Sequence, residues 1–168
     1  ALRADDELDS VVERGHCFDR KLARVQLPVR PHQLLVVGEP EDLADTFCRV
    51  EGIPRDIVLP MLEDIVDWKG PAEYVDHLSS LPLGPNVVGM AGHSTLRTHV
   101  LGMERSLDRT VRPDQGELDA MSRLVSEGME AGLLGMSVNL LPWDKMGGER
   151  FRSRPTPSVF ARFAEYRR

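Results

Sequence analysis

Asn86-Val87-Val88-Gly89-Met90-Ala91-Gly92-His93-Ser94-Thr95-Leu96-Arg97 is the stretch on which the reading of this chain turns. Its first half is short and apolar, and Pro82, Gly84 and Pro85 place a turn in front of it. An apolar run without alternation is the pattern of a strand buried on both faces, as in a parallel sheet. The second half brings a glycine, an imidazole, two hydroxyls and a guanidinium close together. In α/β folds, ligands are met by the loops that leave the C-terminal ends of parallel strands. The stretch therefore predicts a buried strand over 86–91 and a functional loop over 92–97. A plainer reading of the loop stays open: Gly92 makes a turn, Ser94 or Thr95 caps a helix, and Arg97 pairs at the surface.

Moving outward, Pro71 opens a helix whose apolar side is Tyr74, Val75, Leu78 and Leu81. Downstream, Asp114 and Glu117 precede a helical repeat of Leu118, Met121, Leu124, Val125 and Met129, which Gly132 closes. Residues 133–140 read as the next strand, 142–155 as a long polar loop, and Pro157 as the start of a last helix; 98–109 is ambiguous. Earlier, Leu34–Val37 is a short strand candidate ended by Gly38, and Pro40 starts a helix that runs to about Glu51. Pro60 marks the start of a further helix, because proline inside one removes a backbone donor. Strands alternating with helices imply an α/β fold with parallel strands and helical crossovers. Residues 1–33 read as an irregular N-terminal segment and 34–168 as one domain.

Composition narrows the function classes. A chain of 168 residues is long enough for one sizeable core, and 41% hydrophobic with 29% charged residues is ordinary for a globular domain. No apolar run approaches the roughly 18 residues of a membrane span. The acidic start has no signal-peptide core, so the sequence predicts a cytoplasmic protein without a membrane partner. It opens on Ala1 rather than methionine, which points to processing or to a chain cut from something longer. A formal net charge of −6 argues against nucleic acid, whose phosphates require clustered Lys and Arg. The arginines between Arg150 and Arg168 read as a solvated helix face and a basic loop. Cys17 and Cys48 form no CxxC pair and read as reduced thiols, Cys48 in the core.

Four residues are candidates for meeting a substrate. His93 lies in the predicted loop, and Arg97 has the forked guanidinium that grips a carboxylate through two bonds. Ser137 and Asn139 fall at the C-terminal end of a strand, where an α/β protein faces its ligand. Trp143, Asp144 and Lys145 sit in a loop long enough to be a flap. The sequence holds no nucleophile elbow, phosphate loop or Ser-His-Asp order.

Taken together, four stretches resemble the N-acyl-D-amino-acid deacylases (D-aminoacylases), a branch of the metal-dependent amidohydrolases. Trp68-Lys69-Gly70-Pro71-Ala72-Glu73-Tyr74-Val75 with Leu78 is similar to a family helix that precedes a strand. Gly92-His93-Ser94-Thr95-Leu96-Arg97 resembles the family's Gly-His-small-Thr-Leu-Arg loop. Glu117-Leu118-Asp119-Ala120-Met121 through Ala131-Gly132 resembles the next helix, and Leu134-Gly135-Met136-Ser137 a strand ending in a Gly-Leu-Ser type sequence. The likeness covers residues 58–168.

The resemblance implies part of a (β/α)8 TIM barrel of amidohydrolase type. It also implies a small-molecule N-acyl-D-amino acid as substrate, its amide hydrolysed by zinc-activated water. Gly15-His16-Cys17-Phe18, followed by Leu27-Pro28-Val29-Arg30-Pro31, resembles the family's metal-binding cysteine and the Pro-Val-Arg-Pro after it. This makes Cys17 the implied metal ligand. The chain has no His-x-His pair, and the family's later histidines and catalytic aspartate have no counterpart here. An incomplete zinc site and an inactive isolated chain are therefore expected. The alternative is a non-catalytic α/β binding or assembly subunit that completes a barrel with a partner chain, or with a second copy, through exposed strand edges.

Overall fold

Three short parallel strands lie side by side in the order β1 (His32–Leu34), β2 (Gly89–Gly92) and β3 (Met136–Ser137). The structure is a computed structural model and describes residues 32–34 and 37–167. His32 pairs with Gly89 and Leu34 with Ala91, and on the other side Ala91 pairs with Met136 and Gly92 with Ser137. Parallel neighbours require long crossovers, and helices supply them. Between β1 and β2 come α1 (Pro40–Phe47), α2 (Arg55–Ile65) and α3 (Pro71–Ser80). Between β2 and β3 come α4 (His93–Leu101), α5 (Met103–Ser106) and α6 (Gln115–Ala131). A 3-10 turn (Pro157–Phe160) and α7 (Phe163–Tyr166) follow β3.

The chain divides into two units, one of Pro31–Pro82 with Val88–Arg168 and one of Ala1–Arg30 with Leu83–Val87. Every described strand and helix belongs to the first. In the second, the described residues 83–87 carry no regular secondary structure.

The clearest helix signals are realised physically. The Asp114 carboxylate accepts from the Glu117 amide at 2.9 Å, and the Glu117 carboxylate accepts from the Asp114 amide at 2.9 Å. This reciprocal box satisfies two amides that have no partner within the helix. Gly132 ends α6 with φ 122°, a conformation that strains a residue bearing a Cβ. α3 packs on α6, and a core of Val37, Trp68, Tyr74, Ala91, Leu96, Met121 and Leu133 forms around the sheet. Leu43, Ala44 and Cys48 of α1 and its C-cap pack on Val58 and Leu62 of α2, so Cys48 is a buried free thiol.

Several boundaries differ from the sequence reading. His32 and Gln33, assigned to the irregular segment, belong to β1, and Val37 lies in a bend. α1 ends at Phe47, short of Glu51. Pro60 sits inside α2 rather than at its start. Asp56, whose carbonyl loses its helical partner to that proline, is exposed, so water can serve it. Strand β2 begins at Gly89, not at Asn86, and β3 is confined to Met136–Ser137 within the predicted 133–140.

The predicted loop at 92–97 is a helix. The Thr95 hydroxyl donates to the Gly92 carbonyl at 2.8 Å, and that of Thr98 to the Ser94 carbonyl at 2.9 Å. Hydroxyls that bond back to their own helix make a polar run compatible with a buried one. The predicted C-terminal helix breaks into two pieces. The Ser158 amide donates to the Ser94 hydroxyl at 3.1 Å, and its carbonyl accepts from Tyr166, so its backbone is engaged outside any continuing helix. Ala161 and Arg162 are extended between the pieces.

Candidate functional site

β2 and β3 end together, Gly92 opposite Ser137, and the chain passes from Gly92 directly into α4. His93 thus starts a helix at the C-terminal edge of the sheet, and Arg97 lies one turn on, on the same face. Both are buried, His93 at 2% exposure and Arg97 at 0%.

Three residues from the end of the chain close on this pair. The Ser158 hydroxyl lies 3.0 Å from His93 Nδ1 and 2.8 Å from the Ser94 hydroxyl. His93 Nε2 stands 3.1 Å from Glu165 Oε1, near enough for an ion pair but without hydrogen-bond alignment. Arg97 Nη1 donates to both oxygens of the Glu165 carboxylate, and Nε donates to the Ser106 carbonyl at 3.2 Å. Among the described residues, Arg97 Nη2 has no hydrogen-bond partner. The Tyr166 ring meets the His93 ring edge-on at 4.7 Å.

The electrostatics follow from this packing. Burial pushes the Glu165 carboxyl upward, but the His93 and Arg97 side chains outweigh it and hold the group below its ordinary value. Burial, reinforced by the Glu165 charge, raises the Tyr166 phenol.

A cavity of about 270 Å³ opens beside these groups. His93, Glu165 and Tyr166 line it with polar groups, and its mainly apolar walls come from one face of α6, which also presents Ser122 and Ser126, from Leu96 and from Met136.

A hydroxyl, an imidazole and a carboxylate in contact have the composition of a hydrolytic triad, but the geometry here is that of a structural network. The Ser158 side chain is fully buried, shares its hydroxyl with Ser94 and does not reach the cavity. A nucleophile requires access to its substrate.

The structure brings His93 and Arg97 together, and the carboxylate that Arg97 grips belongs to the chain's own Glu165. Ser137 is half-buried beside Gly92, its hydroxyl buried without a partner among the described residues. Asn139 shapes the following loop: its side-chain carbonyl accepts from the Leu141 amide at 2.9 Å, and its amide donates to Asp144 at 2.6 Å. Trp143, in the predicted flap, is 70% exposed. Cys17 lies outside the described residues. Ser158, Glu165 and Tyr166 escape the sequence reading. They stand 65 or more positions from His93, and only Pro157 gives a local signal there, of a helix start.

Among the described residues, no three His, Cys, Asp or Glu side chains come together as a metal site. The near pair, His93 and Glu165, has the Arg97 guanidinium on its carboxylate, where a second cation would be repelled. The described residues therefore do not fit a zinc centre, which requires three or four converging ligands.

No family model matches the chain, and neither does any solved structure. Mycobacterial proteins do. Uncharacterized protein Mb2937c of Mycobacterium bovis and uncharacterized protein Rv2913c of Mycobacterium tuberculosis are each 51% identical to it over 133 residues. The match takes in 79% of this chain and 22% of each relative, so the chain spans about a fifth of their length.

Proposed function

We propose that this chain is a segment of an amidohydrolase of the N-acyl-D-amino-acid deacylase kind. In this reading it contributes neighbouring strands of a (β/α)8 barrel and the polar edge at their C-terminal ends. One observation carries the reading. Two of the stretches that resemble the family, Gly92-His93-Ser94-Thr95-Leu96-Arg97 and Leu134-Gly135-Met136-Ser137, meet at the same sheet edge, with Gly92 opposite Ser137. That is the edge at which barrel enzymes build their sites. The matched 133 residues are 22% of the relatives, which are thus about 600 residues long and have room for a barrel of about 250 residues.

Hydrolysis of the amide of an N-acyl-D-amino acid is then the work of the whole protein. The zinc of that reaction is held by residues outside those described, Cys17 among them. The isolated chain is inactive because it lacks the remaining ligands.

The apolar side chains around β3 favour a covering partner. Leu134, Leu140, Leu141 and Trp143 are exposed at 44–70%, and β3 is a sheet edge among the described strands. In the segment reading the cover is the next barrel unit. In the alternative, an α/β assembly subunit, it is a partner chain.

The test is to assay the full-length Mycobacterium bovis relative, loaded with zinc, on N-acetyl-D-methionine and its L enantiomer. D-selective hydrolysis is expected, with none from the isolated chain. A relative that holds one zinc per chain and leaves both enantiomers intact would overturn the reading.

A further inference from the structure

We propose that Arg97 and His93 form a carboxylate-binding site that Glu165 fills from within the chain. A monocarboxylate with an apolar tail displaces Glu165 and takes its place.

The first support is a surplus of donors. A guanidinium carries five N–H groups in a fixed fork. Here the Glu165 carboxylate takes up Nη1 and the Ser106 carbonyl takes up Nε, while Nη2, at a fully buried residue, stays unpartnered among the described residues. His93 Nε2, on a ring 2% exposed, stands 3.1 Å from the same carboxylate without hydrogen-bond alignment. Natural interiors satisfy buried donors almost completely, so an orphaned guanidinium nitrogen beside a buried anion marks a site its occupant fills imperfectly.

The second support is the short helix that carries that occupant. The Glu165 side chain is 5% exposed, but α7 has only four residues and no side-chain cap at Arg162. Phe163 is 72% exposed. Two side chains, Glu165 and Tyr166, tie α7 to the His93 network.

The third is the adjoining cavity. Glu165, His93 and Tyr166 contribute polar groups to it, while Leu96, Met121, Val125 and Met136 give it a largely apolar body that Ser122 and Ser126 also line. A carboxylate placed where Glu165 sits directs its tail into this space. At roughly 30 Å³ per water-sized group, a cavity of about 270 Å³ has room for the seven-carbon tail of an eight-carbon acid whose carboxylate takes the place of Glu165. The head must be anionic, because a neutral one would leave the buried guanidinium without a counter-charge. The site needs no metal and does not depend on the deacylase reading.

The test uses the full chain with octanoate as probe and octanol and acetate as controls. Calorimetry should give one octanoate per chain, with octanol and acetate at least tenfold weaker, because each supplies only the tail or only the head. Glu165→Ala, which removes the internal competitor, should bind octanoate at least tenfold tighter, since the competent state no longer has to be won from Glu165. Hydrogen exchange on the wild-type chain should speed up at the α7 amides when octanoate is added. This readout decides the matter if the variant fails to fold. The proposal is overturned if octanoate leaves α7 exchange unchanged at saturation, if octanol binds as well as octanoate, or if only Glu165→Ala binds.

Discussion

Replacing Arg97 by methionine strips the guanidinium from the most buried charged group of the site and leaves a chain of similar length. Arg97 is 0% exposed and the Glu165 side chain 5%, so the carboxylate left behind has little water to turn to. The Ser106 carbonyl also loses its donor. Removing one partner of a buried pair costs about 3–5 kcal/mol. For a domain of this size that is about 6–20 °C in Tm, at about 2–4 °C per kcal/mol. Removing both charges, with Arg97→Met and Glu165→Met together, should cost less than Arg97→Met alone, because no unpaired ion remains. The assay is urea unfolding followed by tryptophan fluorescence, whose red shift reports release of Trp68, 8% exposed in the fold, because Trp143 is already 70% exposed. A double variant whose loss equals the sum of the two single losses would refute the coupling. So would an Arg97→Met loss below about 1 kcal/mol, the range of solvated pairs.

Other consequences follow from the same packing. Glu165 is held below its ordinary value of 4.5, so over that acid window the unfolded chain binds more protons. The stability Glu165 contributes is complete above the ordinary carboxylate range and is lost as pH falls through its lowered folded value; Glu165→Gln should therefore flatten the acid limb of a Tm-against-pH curve, and an unchanged limb would contradict this. Gly147 lies against α1, its amide donating to the Asp45 carbonyl at 2.7 Å, and a Cβ there would run into Cys48 Sγ. Gly147→Ala should cost about 1–3 kcal/mol in thermal unfolding, as overpacking does, and an unchanged Tm would deny the close docking of the 142–155 loop. Asp114→Ala, by removing the cap of α6, should cost about 1 kcal/mol, and Asp114→Ser much less, as measured by circular dichroism on urea titration.

What could be read from the sequence was what local chemistry decides. The α6 helix was legible because its start, its stripe and its stop, from Asp114 through Met121 to Gly132, are all local signals. Pro71 gave the start of α3 for the same reason. The parallel pairing followed from alternation of elements rather than from any single residue. The polar run after Gly92 misled because its hydroxyls look solvent-seeking, while Thr95 and Thr98 in fact spend theirs on carbonyls of their own helix. Pro60 misled because the residue whose carbonyl loses its partner, Asp56, is exposed, where water can serve it, so a helix can run through the proline. His93 and Arg97 could be singled out as polar residues at a strand end. Their partners could not, since Glu165 lies 68 positions from Arg97 and nothing near it marks it as more than a surface carboxylate. Long-range ion pairs leave no periodicity to detect.

The most direct measurement replaces the matched 133-residue segment of the Mycobacterium bovis relative with the corresponding part of this chain and assays the zinc-loaded chimera on N-acetyl-D- and N-acetyl-L-methionine. If this chain supplies strands and the polar edge of a deacylase barrel, both the parent and the chimera should hydrolyse the D enantiomer selectively. A folded, zinc-bound chimera that hydrolyses neither enantiomer while its parent cleaves the D form would contradict that assignment.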